Sequence, residues 1–185
     1  MKNILLVLIL ILGTIVSNAQ EFMGVKCDGK KDIAISTFKN KGFNLSSDDE
    51  GSAFMKGKIG NDEVELYIDY TPISKLVWAF RVYLPEQSDW YYLKSDYQKY
   101  LSVLTEKYGA PEKTYSFFSS PYKEGDGYEM TGVSVDKCVY ASFWKKEQGV
   151  RIKISKYKRV QISYENSINS MIDDEETKSL NSKIF

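Results

Sequence analysis

The run Glu63-Val64-Glu65-Leu66-Tyr67-Ile68-Asp69-Tyr70 alternates apolar and polar side chains with a period of two. After Thr71-Pro72, the residues Leu76, Trp78, Phe80, Val82 and Leu84 continue the same alternation until Pro85. Successive side chains of a strand point to opposite faces, so each run predicts a strand with one face in a core and one outside. Val64, Leu66, Ile68 and Tyr70 form the inner face of the first, and Glu63, Glu65, Tyr67 and Asp69 the outer. Half-buried alternating strands belong to antiparallel sheets; parallel strands, covered on both faces, read as continuous apolar runs. The expected fold class is therefore α+β, an antiparallel sheet with two main helices.

Working outward, residues 53–59 predict a further strand, which enters the first through a Gly60-Asn61-Asp62 turn. Residues 46–51 are polar and read as a loop. Residues 22–27 read as one short strand ahead of Asp28-Gly29. Residues 33–41 read as a helix with Asp32 as its N-cap and Gly42 just past its end, in the position that favours left-handed backbone. A second helix is predicted over 92–108. There Leu93, Tyr97, Leu101, Leu104 and Tyr108 make one stripe, Gly109 follows, and Pro111 blocks extension.

Strands are expected at 113–118, 138–145, 150–155 and 159–164, with a long Gly-rich loop over 119–136. The tail from Asn166 reads as a short helix that frays at Asp173 to Glu176. Side by side, the two halves share an order of helix, strands with a tight hairpin, and a further strand. Two organisations fit: a tandem α-β-β-β duplication over 22–85 and 88–165 with an extra strand in the second unit, or a single α+β domain over 20–165 without internal symmetry. Residues 166–185 are the tail.

The N-terminus carries one positive charge at Lys2, an unbroken apolar run from Ile4 to Leu12, and the small residues Ser17-Asn18-Ala19 before Gln20. That order is the pattern of a secretory signal peptide over 1–19, too short for the roughly 20 residues of a bilayer span. The expectation is export to the periplasm or the extracellular space, with no membrane span after cleavage. Formal net charge is +0, with 25 basic and 25 acidic residues. That balance argues against nucleic acid as a partner. The chain has no histidine, so a Ser-His-Asp triad, a Cys-His pair and a His-ligated metal site are all closed to it.

The candidate residues follow from that frame. Cys27 and Cys138 are the only cysteines. In an exported chain they predict one disulfide, the alternative being two buried thiols. Gly125-Asp126-Gly127 with Glu129 is oxygen-rich but lacks calcium-loop spacing, so ordinary turn chemistry is expected there, and no cofactor or metal anywhere. Trp90, Tyr91 and Tyr92 read either as the apolar entry into the second helix or as an exposed patch. Glu63, Glu65 and Asp69 on one hairpin and Arg151 and Lys153 on another are expected outer-face residues. Together they predict a dipolar interaction surface, unless the acidic tail 173–176 folds over the basic strands and neutralises them.

Three motifs, Asn18-Ala19-Gln20, Lys41-Gly42-Phe43 and Glu106-Lys107-Tyr108-Gly109-Ala110-Pro111, carry a resemblance to a group of exported proteins of Gram-negative gut bacteria. The duplicated element order also resembles, in topology alone, the tandem fold of β-lactamase inhibitory proteins. The first resemblance implies export. The second transfers no inhibitory residue, and neither resemblance implies a reaction. The functional expectation is an exported non-enzymatic binding or assembly domain, an inhibitor of an extracytoplasmic enzyme in its specific form, whose partner is an extracytoplasmic protein or a surface polymer. The alternative is a small hydrolase built on paired carboxylates.

Overall fold

Fourteen elements follow one another along residues 21–144 and 149–182, which the computed structural model describes. The first half comprises β1 (Glu21–Phe22), β2 (Val25–Lys26), α1 (Lys31–Asn40), β3 (Asn44–Asp49), β4 (Ser52–Ile59), β5 (Asp62–Tyr70) and β6 (Val77–Tyr83). The second comprises α2 (Trp90–Tyr108), β7 (Lys113–Phe118), α3 (Glu129–Ser134), β8 (Cys138–Phe143), β9 (Val150–Ser155), β10 (Arg159–Glu165) and α4 (Ser167–Asn181). The signal-peptide residues 1–19 and the basic residues Lys145 and Lys146 lie outside the described residues.

The alternation in β5 and β6 becomes the centre of one antiparallel sheet. Leu66 stands opposite Val82 and Ile68 opposite Phe80. Eight strands pair in the order β3-β4-β5-β6-β10-β9-β8-β7. The order is symmetric about the β6/β10 seam, where Phe80 faces Tyr164 and Val82 faces Ile162. Each side of the seam holds one long helix followed by four strands, with α3 inserted between β7 and β8 of the second side. The architecture is α+β, as the alternating strands require.

Both main helices lie on the same face of the sheet. Phe38 of α1 packs its ring against Phe22, Phe43 and Phe80, with centroids 5.7, 5.5 and 5.3 Å away. On the other side of the seam, Leu93, Tyr97, Tyr100 and Leu104 of α2 are buried, and Tyr97 Oη lies 2.9 Å from Ser142 Oγ. Gly109 ends α2 at φ +81°, where a left-handed residue is needed. Each aromatic pair adds about 0.5–1.5 kcal/mol beyond its buried area, so the Phe38 cluster contributes to this core through three ring contacts.

Five local expectations are corrected. Residues 22–27 form two strands of a tiny hairpin, turned by Met23 and Gly24 at φ 52° and 75°. Helix α1 begins at Lys31 without a side-chain cap, and Asp32 sits in its first turn, where a carboxylate complements the helix dipole. Residues 46–51 are mostly the edge strand β3, which each side of the seam needs to reach four strands. Its polarity reflects an edge exposed on both faces, and its pairing with β4 is broken by a bulge between Leu45 and Ser47. The 119–136 loop contains α3, whose Val133 is buried. The tail does not fray at 173–176. It continues as α4, capped by Asn166 Oδ1, which accepts from the backbone N–H groups of Ile168 and Asn169. Among the described residues, no helix is long and apolar enough to cross a membrane.

Candidate functional site

The face of the sheet opposite α1 and α2 is composed of the odd-numbered positions of β5, β6, β8, β9 and β10 and the even-numbered positions of β4. Register sets them in rows. One row runs Phe143, Arg151, Ser163, Arg81, Tyr67, Phe54. The next runs Ala141, Lys153, Gln161, Tyr83, Glu65, Lys56. Aromatic, charged and small polar side chains therefore share this face.

On the β4–β6 side, the expected acidic residues are present but already neutralised. Asp69 is 2% exposed and accepts from Arg81 Nε and Nη2, each at 2.6 Å, and from Ser52 Oγ at 2.8 Å. A bidentate guanidinium is the geometry that makes a buried carboxylate tolerable. Glu65 Oε2 accepts from Arg159 Nη1 at 2.6 Å, and Arg159 Nε donates to the Leu84 carbonyl. Arg81 also lies over the Tyr67 ring and Arg159 over the Tyr83 ring, while Phe54 and Tyr67 stack at 4.9 Å. Glu63 is well exposed, 3.8 Å from Lys58 Nζ.

On the β9 side the cations form no ion pair among the described residues, and the Asp136 charge is an acidic one acting on Lys153. Arg151 Nε is buried without a hydrogen-bond partner among the described residues. Beside it, burial pushes the Lys153 ammonium below its usual pKa, and the neighbouring Arg151 charge pushes it further. Between these two cations and the Arg81–Tyr83 pair lie Gln161 and Ser163, both buried and joined by a 3.0 Å bond from Gln161 Nε2 to Ser163 Oγ. A trough of about 460 Å³ lies here, with Gln161, Arg151, Lys153, Asp136 and Tyr157 among the residues that line it. It adjoins a second of about 300 Å³ bounded by Tyr67, Tyr83, Tyr157 and Arg159.

The structure thus brings Glu63, Glu65, Asp69, Arg151 and Lys153 to one face, the acidic groups on β5 and the basic ones on β9 with β6 and β10 between them. Arg81 and Arg159 pair with Asp69 and Glu65, which leaves the acidic side weaker than the alternation alone suggests. The acidic tail does not neutralise the basic side: α4 packs on β6, with Asn169 Nδ2 donating to the Val77 carbonyl at 2.7 Å. Glu176 accepts from the backbone N–H groups of Ile73 and Ser74. Sequence alone singled out Arg159 only as one of several basic residues near Arg151 and Lys153, and it missed Arg81 and the pairing of Arg159 with Glu65. The available signal was an arginine on the outward parity of an otherwise apolar strand, diagonal to Asp69.

The Cys27–Cys138 bridge is absent: both thiols are buried and unbonded. Cys27 donates to the Tyr164 carbonyl, Tyr164 aligns with Val150, and Arg151 with Phe143. Cys138 lies five residues from Phe143 along β8, about 16 Å at the usual rise. A bridge needs Cα atoms within about 7 Å. Burial raises both thiol pKa values, that of Cys138 to about 12 with help from the Glu124 charge.

Paired carboxylates fare no better as a hydrolytic site. Glu65 and Asp69 are four strand residues, about 13 Å, apart, beyond the roughly 5–10 Å of glycosidase pairs, and each is held by an arginine. A wider cleft of about 810 Å³ does gather Glu63, Glu65 and Glu86, but Glu63 is 81% exposed and lysines 41, 56 and 58 line the same cleft. That leaves no apolar enclosure to hold one carboxyl as an acid. Asp48 is tied to Lys31 and Tyr70 at 2.7 and 2.8 Å.

In the 119–136 segment, Asp126 accepts from the backbone N–H of Lys123 and Tyr128, and Glu129 from that of Gly125. These carboxylates are spent on their own turn. Among the described residues, no three acidic or thiol groups gather as a metal site. Trp90 is half-buried between Phe118 and Tyr140, its Nε1 donating to Glu124, while Tyr91 and Tyr92 stay exposed. Both expectations for that trio thus hold, at different residues. No family model, curated protein or solved structure matches this chain.

Proposed function

We propose that this chain is an exported, non-enzymatic binding module that docks a protein partner on the bare face of its sheet. One observation carries the reading: Arg151 and Lys153 stand half-buried beside a polar-floored trough and form no ion pair among the described residues, Asp136 being an acidic group that lines the same trough. Half-buried cations hold their water poorly, so an acidic side chain from outside gains more from pairing there than at an open surface. Tyr67, Tyr83 and Tyr157 surround the trough with aromatic surface of the kind enriched at interface centres. The partner is an extracytoplasmic protein presenting Asp or Glu, and inhibition of an extracytoplasmic enzyme is the specific form of the reading.

The test compares the mature chain from Gln20 with its Arg151→Glu/Lys153→Glu variant, each immobilised against envelope and secreted fractions. The expected result is a protein held by the native face at low salt, released by salt, and not held by the variant. Both chains should melt at the same temperature. An identical set of proteins on both, or retention of an anionic polymer alone, overturns the protein-docking reading. N-terminal sequencing of the cell's own product, expected to begin at Gln20, tests export separately.

A further inference from the structure

The sheet has two edges, and they are constructed differently. An unpaired strand edge presents a row of backbone N–H and C=O groups that templates another strand, and folded chains usually blunt it with charge, bulges or polar residues. β3 has all of these: the sequence Asn-Leu-Ser-Ser-Asp-Asp, a bulge after Leu45, and Asp48 tied to Lys31 and Tyr70. β7 has no bulge and a single charge, Lys113 at its first position, with Thr114 and Ser116 its other polar residues. Its sequence Lys-Thr-Tyr-Ser-Phe-Phe is strand-favouring and uncharged after Lys113. It pairs with β8 over all six residues without a break, so it is straight and in register.

Nor is β7 covered. Its first five residues are exposed, with Tyr115 and Phe117 at 43% and 48%. No strand lies on its outer side among the described residues. The strand is still firmly held from within: Thr114 Oγ1 lies 3.0 Å from Ser142 Oγ, and Phe118 packs edge-on against Trp90. β7 is thus an exposed, unbulged edge bearing Tyr115 and Phe117, on a fold whose other edge is bulged and acidic.

We propose that a second copy of this chain adds its β7 antiparallel to this edge, joining two sheets across a two-fold axis. The self-complementarity of the strand argues for a copy as the occupant. A two-fold pairing that keeps both bare faces on one side must set residues of like parity opposite each other. Centred on Ser116, it places Ser116 opposite its own symmetry mate. Tyr115 then faces the second copy's Phe117, and Phe117 its Tyr115, so two aromatic cross-strand pairs form on the bare face. Thr114 faces the second copy's Phe118 on the helix-covered side. The two Lys113 side chains lie at opposite ends of the ladder, so no like charges meet. The dimer carries two troughs on one continuous face. This inference is independent of what the trough binds.

The experiment uses the mature chain from Gln20, with mass measured by light scattering across a concentration series. A dimer is expected. Tyr115→Lys/Phe117→Lys should give a monomer with native circular dichroism and an unchanged melting temperature, since both side chains are exposed. Ser116→Cys should cross-link to a dimer under mild oxidation, because directly opposed residues in antiparallel strands lie within disulfide reach. Ser47→Cys on the blunted edge should not. A native chain that stays monomeric to millimolar concentration, or a dimer that survives the double-lysine change, overturns the proposal. So does cross-linking through the β3 edge rather than through position 116.

Discussion

At the scale of single residues, Gly57 is the most constrained position on β4. A Cβ there would lie 2.4 Å from the ring of Phe43, itself buried against Phe38. Gly57→Ala should cost about 1–3 kcal/mol by overpacking, read as a lowered denaturation midpoint with an unchanged slope. Asp62 shows the acid limb of stability. Its carboxylate accepts from Lys99 Nζ at 2.6 Å and Tyr100 Oη at 2.7 Å, and these bonds hold its pKa below the usual 3.8. Because the folded pKa is the lower one, the contribution is complete above the unfolded value and fades as pH falls through the folded value. Asp62→Asn should therefore lower the melting temperature slightly at neutral pH, and the gap to the native chain should close below about pH 4. The thiols supply a third check. Cys27 and Cys138 should resist alkylation while folded, and both should react in denaturant without any reductant. Failure to react there would restore the bridge.

Among the elements, α4 is held by its ends rather than by an apolar stripe. Only Asn169 is buried along its length, while Asn166 caps it and Glu176 ties its later turns to Ile73 and Ser74. A helix polar on most sides is stable only with such external ties. Asn166→Ala should cost about 0.5–2 kcal/mol, the range for a lost cap. Glu176→Ala should leave the melting temperature nearly unchanged yet speed amide exchange at Ile73, Ser74 and the last turns of α4. Uniform exchange along α4 in that variant would mean the tie does not restrain the helix.

For the molecule as a whole, the β6/β10 seam makes two helix-and-four-strand units into one sheet with one continuous core. Phe80 sits at that seam, fully buried, touching Phe38 of α1 and facing Tyr164 of β10. Phe80→Ala should cost about 3–5 kcal/mol and still leave a single unfolding transition. Trp78 reports from one side of the seam, Trp90 and Trp144 from the other. Their near-ultraviolet signals should be lost together, and two separated transitions would show that the sides fold as independent units.

Local pattern alone determined the strands with one apolar face, the α2 stripe with its Gly109 stop, and the hairpin turn at Gly60, because periodicity and backbone preference act within a few residues. It failed where an element owes its state to distant neighbours. β3 is a strand because β4 offers it a partner, although its own residues read as loop. α4 holds together through a cap and a tie to residues about a hundred positions away. The outward parity of Glu65, Asp69, Arg151 and Lys153 was readable from alternation. Which of them are already neutralised was not, because the β5–β6 and β6–β10 registers bring Arg81 to Asp69 and Arg159 to Glu65. The cysteines show the same division. Composition suggested a bridge, and the path of the chain set Cys138 about six strand residues, roughly 20 Å, from the row that Cys27 contacts. Sequence determines propensity and parity, whereas pairing between distant segments decides which charges meet and which remain open.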